Sequence, residues 1–140
     1  MSNATRTPDA DLDAIFADPP PPIPRFNWGA FLVPPIWGVA NGQWPGVFFL
    51  ALWVFIDNVL RGPRPFGIWS TVAGIVLVAV TLGAQALYAA NANRIAWHRS
   101  AGRLSPERFA RRQRIWGIAG AVTIVGMGVW ITLFILGYGS

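Results

Sequence analysis

The sequence predicts an all-α membrane protein, and three observations lead there. Of its 140 residues 54% are hydrophobic and only 12% are charged, more apolar surface than a soluble domain of this size hides. Two stretches, residues 66–90 and 115–138, run past 20 positions without a charge, which meets the length needed to cross a hydrocarbon core of about 30 Å. Prolines and glycines punctuate the remaining apolar runs, so the chain divides into short pieces between clear breaks.

Residues 1–25 form an acidic, proline-rich tail with Asp9, Asp11, Asp13 and Asp18, ending in Pro19-Pro20-Pro21-Pro22-Ile23-Pro24. That run favours extended polyproline II. The segment lacks the basic start and apolar core of a secretory signal, so later segments drive insertion. Residues 26–140 form a single membrane helical domain. Its first piece, about 26–41, is apolar but broken at Pro34-Pro35. The residue before a proline is pushed out of the helical region, so this piece is expected as a short re-entrant or interfacial helix.

Three transmembrane helices follow, at about 44–60, 66–90 and 115–138. The first gives about 25 Å of helix, at the short end of a span, and Arg61-Gly62-Pro63-Arg64-Pro65 turns the chain back. Between the last two spans, residues 91–114 are expected as a loop carrying Arg94, Arg99, Arg103, Arg108, Arg111, Arg112 and Arg114 against the single acid Glu107. This is more positive charge than the net +5 of the whole chain. Arginine-rich short loops stay cytoplasmic. Segment 66–90 therefore runs inward and 115–138 outward, as an antiparallel hairpin with the C-terminus outside; if residues 26–41 dip and return, the reading favoured here, the N-terminus is cytoplasmic, and if they span it is outside. Within the loop, Ser105-Pro106-Glu107 is a helix start: N-cap, proline at the first position, an acid against the dipole.

The segment Asn27-Trp28-Gly29-Ala30-Phe31-Leu32, then Pro34-Pro35-Ile36-Trp37, with Asn91 to Arg94 ahead of Trp97, resembles the small bacterial membrane proteins grouped as domain of unknown function 2628. The likeness covers roughly residues 26–125. It implies a multi-span protein of the bacterial inner membrane with a cytoplasmic N-terminus, and no established reaction. The acidic tail is not part of that pattern.

Function classes narrow by what is missing. The chain has no cysteine, which excludes disulfides, thiol catalysis and cysteine-ligated zinc. All eleven basic residues are arginine. No nucleophile with a base, paired carboxylates or phosphate loop is visible, so no catalytic, cofactor or metal site is assigned and no enzyme is expected. His98, the sole histidine, lies in the arginine loop without a second histidine to pair with. Asp57, with Arg61 four residues on, and Gln85 are the polar candidates within the spans. They read either as a proton or ion path or, more plainly, as an interfacial ion pair and a helix-to-helix hydrogen bond. The threonines can satisfy themselves on the preceding turn.

The arginines Arg94, Arg99, Arg103, Arg108, Arg111, Arg112 and Arg114 are assigned to anionic phospholipid headgroups rather than to nucleic acid, because the loop lies flush with the membrane. Gly38, Gly42, Gly46, Gly117, Gly120 and Gly126 are assigned to helix packing, internal or against a partner. Trp28, Trp37, Trp44, Trp69, Trp97 and Trp116 fall near segment ends and are expected as interfacial anchors. The expected function is a non-catalytic accessory or structural subunit of a larger membrane complex, possible hosts including respiratory and photosynthetic assemblies, with other membrane subunits as partners. The alternative is a small transporter or channel component using Asp57 and Gln85.

Overall fold

The computed structural model describes residues 19–63, 67–100 and 103–138, and all its regular elements are helices. We number them α1 (Trp28–Leu32), α2 (Pro34–Ala40), α3 (Pro45–Arg61), α4 (Ile68–Arg99) and α5 (Pro106–Tyr138). Two of them, α4 and α5, are long and apolar enough to cross a membrane. That is one fewer than the three spans expected. The helix anticipated at 44–60 forms as α3, but its 17 residues end in Asp57 and Arg61, leaving a short apolar run.

The break between α1 and α2 falls at Val33, φ −136° and ψ 58°, where Pro34 disfavours a helical predecessor. Both halves stay hydrogen-bonded across it: Val33 N–H donates to Gly29 O at 3.0 Å and Trp37 N–H to Val33 O at 2.9 Å. Levels along α4 show what the break does. Asn27 N–H donates to Ala89 O at 3.1 Å, Phe31 lies at Gln85, and Gln43 returns to Ala92. The α1–α2 pair thus enters, turns at Val33 and comes back to the end it started from. Gly42, at φ +70°, makes the turn into α3, a backbone shape that disfavours other residues.

α3 then runs antiparallel to α4, with Phe49 against Tyr88 (5.5 Å between ring centroids), Trp53 on Gln85 and Leu60 against Gly74. α5 packs on α1, whereas its direct meeting with α4 is near the connecting turn, where Phe109 stands edge-on to Trp97 at 5.4 Å. The expected simple hairpin of the two long helices is therefore corrected: α1 wedges between them. It fits because Gly29 lies under the Trp116 side chain and Gly117 and Gly120 lie under Trp28 and Leu32.

The core consists of Ile23, Ala30, Trp37, Ala89, Ala92, Ala96 and Phe109. Ala89, Ala92 and Ala96 share one face of α4, and their small side chains let the wedge approach. All of this sits at one end of the long helices. At the other end every residue of α5 from 121 to 137 is exposed.

Two further expectations change. The loop at 91–114 is mostly helix: α4 continues to Arg99 and α5 begins at Pro106, because nothing between Asn91 and Arg99 breaks a helix. At 32 residues α4 is about 48 Å long, so it outruns a hydrocarbon core by several turns. The proline run is not extended where it is described. It turns, Ile23 N–H donating to Pro20 O at 3.1 Å, and this carries Ile23 into the core. Residues 1–18 of the tail, and Arg64 and Pro65 of the turn after α3, lie outside the described residues.

Candidate functional site

The packed end is organised by side-chain amides. Asn27 precedes α1 in an extended conformation and caps it, its Oδ1 accepting from Ala30 N–H at 2.8 Å, as an N-cap asparagine does. Its Nδ2 then donates twice, to Asn93 Oδ1 at 2.6 Å and to Gln113 Oε1 at 3.0 Å. Gln113 Oε1 also accepts from the Trp37 indole at 2.8 Å, and Gln113 Nε2 donates to Asn41 Oδ1 at 3.3 Å. Asn93 Nδ2 donates to Pro24 O at 2.7 Å. One connected network thus ties the tail, α1, α2, α4 and α5, with Asn27, Trp37, Asn93 and Gln113 all buried.

Two further amides extend it. Gln85 Nε2 donates to Phe31 O while its Oε1 accepts from the Trp53 indole at 3.0 Å. Gln43 Nε2 donates to Ala92 O at 2.9 Å. Primary amides and indoles neither titrate nor attack carbon near neutral pH. What they supply is fixed geometry: Asn27, Asn93, Gln113 and Gln85 are paired at both ends of the amide and lock register, whereas Gln43 is paired through Nε2 and its buried Oε1 has no hydrogen bond among the described residues, and an unpaired polar group in low dielectric is costly. The chemistry of this site is clasping.

The structure distributes the sequence candidates unevenly. Gln85 sits in the clasp. Asp57 does not: it pairs with Arg61 at 2.7 Å at the end of α3, both side chains exposed. Gly38 and Gly46 form the close crossing of α2 and α3, where a Cβ on Gly46 would run into Pro34 O. Gly117 and Gly120 take α1. Gly42 is a turn residue rather than a packing one. Nothing lies within 4 Å of a Cβ on Gly126. Thr123 and Thr132 bond the carbonyls four residues back, each at 2.9 Å.

Among the arginines, Arg99 donates to Gly42 O and Arg112 to Ala40 O (3.2 Å), holding the turn after α2. Arg103, Arg108, Arg111 and Arg114 are exposed, and Arg94 is half-buried. The placement of Trp37 as an interfacial anchor is corrected: it is wholly buried, because Gln113 offers its indole N–H an acceptor inside the core. Trp28, Trp44 and Trp69 are exposed. Sequence reasoning missed Asn27, Asn93 and Gln113 as partners. The available signal was weak: an asparagine opening an apolar stretch, and two amides just outside the apolar runs of α4 and α5.

A groove of about 590 Å³ opens beside the clasp between the tail and α5, with Pro24, Trp28, Leu32 and Gly117 on its walls, Asn93 and Gln113 on its floor and Arg114 at its edge. Among the described residues no three His, Cys, Asp or Glu side chains come together as a metal site. No protein-family model matches the chain, and neither does any curated protein or solved structure.

Proposed function

We propose that the protein is a non-catalytic accessory subunit of a larger assembly in the bacterial cytoplasmic membrane. The observation that carries this reading is the bare half of α5. From residue 121 to 137 it is apolar and exposed on every side, and open space faces Gly126 and Gly128. Water is a poor solvent for such a surface. Lipid satisfies the surface, and small residues on it leave room for a neighbouring helix to approach closely.

In this reading the arginine-bearing end of α4 and α5 is cytoplasmic, α4 runs inward, α5 runs outward, and the C-terminus lies outside. The α1–α2 pair re-enters from the cytoplasmic side and places the N-terminal tail there. α3 is the third and shortest crossing, about 25 Å at 17 residues. The clasp makes the cytoplasmic half rigid, so that a fixed platform presents the exposed face of α5 to partners.

The transporter alternative draws less support. Gln85 spends both ends of its amide on protein groups, and Asp57 lies at a helix end beside Arg61. Native co-purification in mild detergent, with mass-spectrometric identification of neighbours, tests the proposal. A defined larger complex is expected, weakened by bulky substitution at Gly126. A chain that migrates alone, unchanged by that substitution, would sink it.

A further inference from the structure

A concavity of about 350 Å³ lies where α2 ends, α4 ends and α5 begins, and it gathers Arg99, Arg103 and Arg112 with Asn41, Ser100 and Phe109. Three arginines lining one small hollow concentrate positive charge that repels itself unless something answers it. Among the described residues none of the three is in an ion pair. The nearest acid in sequence, Glu107, is engaged elsewhere: its own backbone N–H and the Ser105 hydroxyl hold its carboxyl below the usual range. Arg99 and Arg112 each spend a donor on a backbone carbonyl, which fixes where they sit and leaves the rest of each five-donor fork unspent. Arg103, an exposed residue, is the third arginine on the lining.

We propose that this hollow is a stoichiometric site for the phosphate of one anionic phospholipid. Arginine forks match phosphate oxygens in pairs, which is why clusters of them select phosphate over other anions. The lipid source rests on the membrane reading above. Arg112 lies three residues before Ile115, where the apolar run of α5 begins, so the hollow is about 5 Å from the hydrocarbon boundary, at headgroup depth. The site would also secure the fold, since its ligand and the α2–α3 turn share Arg99 and Arg112.

The test uses the full chain purified in neutral detergent, with native mass spectrometry counting retained lipid and vesicle flotation confirming membrane entry. Arg103→Gln is the informative variant because Arg99 and Arg112 also hold the turn. One phosphatidylglycerol per chain is expected, with phosphatidylcholine not retained, and Arg103→Gln should weaken retention about tenfold, as loss of one charge-assisted contact does. Arg108→Gln, outside the hollow, should change it less than twofold, and Arg103→Lys should restore part of it. Equal losses for Arg103→Gln and Arg108→Gln, or equal retention of phosphatidylcholine, would overturn the site. Competition by inorganic phosphate at equal concentration would make it a soluble-phosphate site and overturn the lipid assignment. A chain that floats with vesicles yet shows no headgroup preference defeats this proposal alone, whereas one that never enters vesicles defeats the membrane reading.

Discussion

The two ends of the long helices are built on opposite principles. At the packed end, α4 and α5 are held apart by the α1 wedge, and specificity comes from buried amides whose partners lie up to 86 residues away in sequence. At the bare end, residues 121–137 of α5 are exposed throughout and lie in one continuous helix, whose backbone groups bond within the segment as a spanning helix requires. Polar residues follow the same division. The buried ones concentrate in the clasp, while the threonines of α5 turn back on their own helix. One end specifies this chain's own structure, and the other is left for surroundings to complete.

If that contrast is right, the heaviest damage comes from breaking the clasp at its hub. Gln113→Leu keeps roughly the volume but removes the acceptor shared by Asn27 Nδ2 and Trp37 Nε1 and the donor to Asn41. Each buried group left unpaired costs about 1–3 kcal/mol, so a loss of several kcal/mol in unfolding stability is expected, read by denaturation in detergent micelles. A loss below about 1 kcal/mol would show that the amides are incidental to the packed end.

Glycines sharpen the comparison, because the same change is made at both ends. At Gly46 a Cβ meets the Pro34 carbonyl and the Tyr88 hydroxyl, while at Gly126 it meets nothing. Gly46→Ala is expected to destabilise by about 1–3 kcal/mol, the ordinary penalty of overpacking. Gly126→Ala is expected to leave the isolated chain unchanged or slightly firmer, alanine being the better helix former. The chain has no cysteine, so single cysteines at Val125 and at Arg108 give a further readout. In intact membranes a water-soluble maleimide should label position 108 from the cytoplasmic side and spare position 125.

How much of this was legible follows the same division. The bare end was readable because its apolar character is written locally, in an uninterrupted run. The Pro34 break was also local, and so was the helix start at Ser105. The packed end was not, since Asn27, Asn93 and Gln113 share no period and only the fold brings them together. Hydropathy likewise marked where α4 leaves the apolar region near Asn91 but not where its helix ends, eight residues on at Arg99. A charge change does not stop a helix; a backbone break does. Trp37 was misread for a related reason. An indole needs an acceptor, and a sequence does not say whether water or Gln113 provides it.

Asp57 tests whether a charge inside an apolar helix belongs to either regime. It sits on α3 beside the bare end, exposed and joined to Arg61 one turn on, and exposed pairs at this spacing contribute about 0.3–0.5 kcal/mol. Asp57→Asn should therefore shift stability by less than about 1 kcal/mol and leave any ion or proton flux unchanged in reconstituted vesicles. Loss of a measurable flux would revive the transport alternative.

The smallest effect is expected at Glu107, outside both regimes. Its carboxyl is held below the ordinary range first by its own backbone N–H and then by the Ser105 hydroxyl, and Ser105 Oγ also accepts from Arg108 N–H at 3.4 Å. A folded-state value below the unfolded one means that Glu107 favours the fold above its unfolded pKa and loses that contribution as pH falls through the folded value. Ser105→Ala removes the second cause and leaves the first, so the Glu107 titration followed by NMR should move upward without reaching the value of a free glutamate. A titration that does not move would assign the shift to the helix terminus alone, and a full return would make the serine the dominant cause.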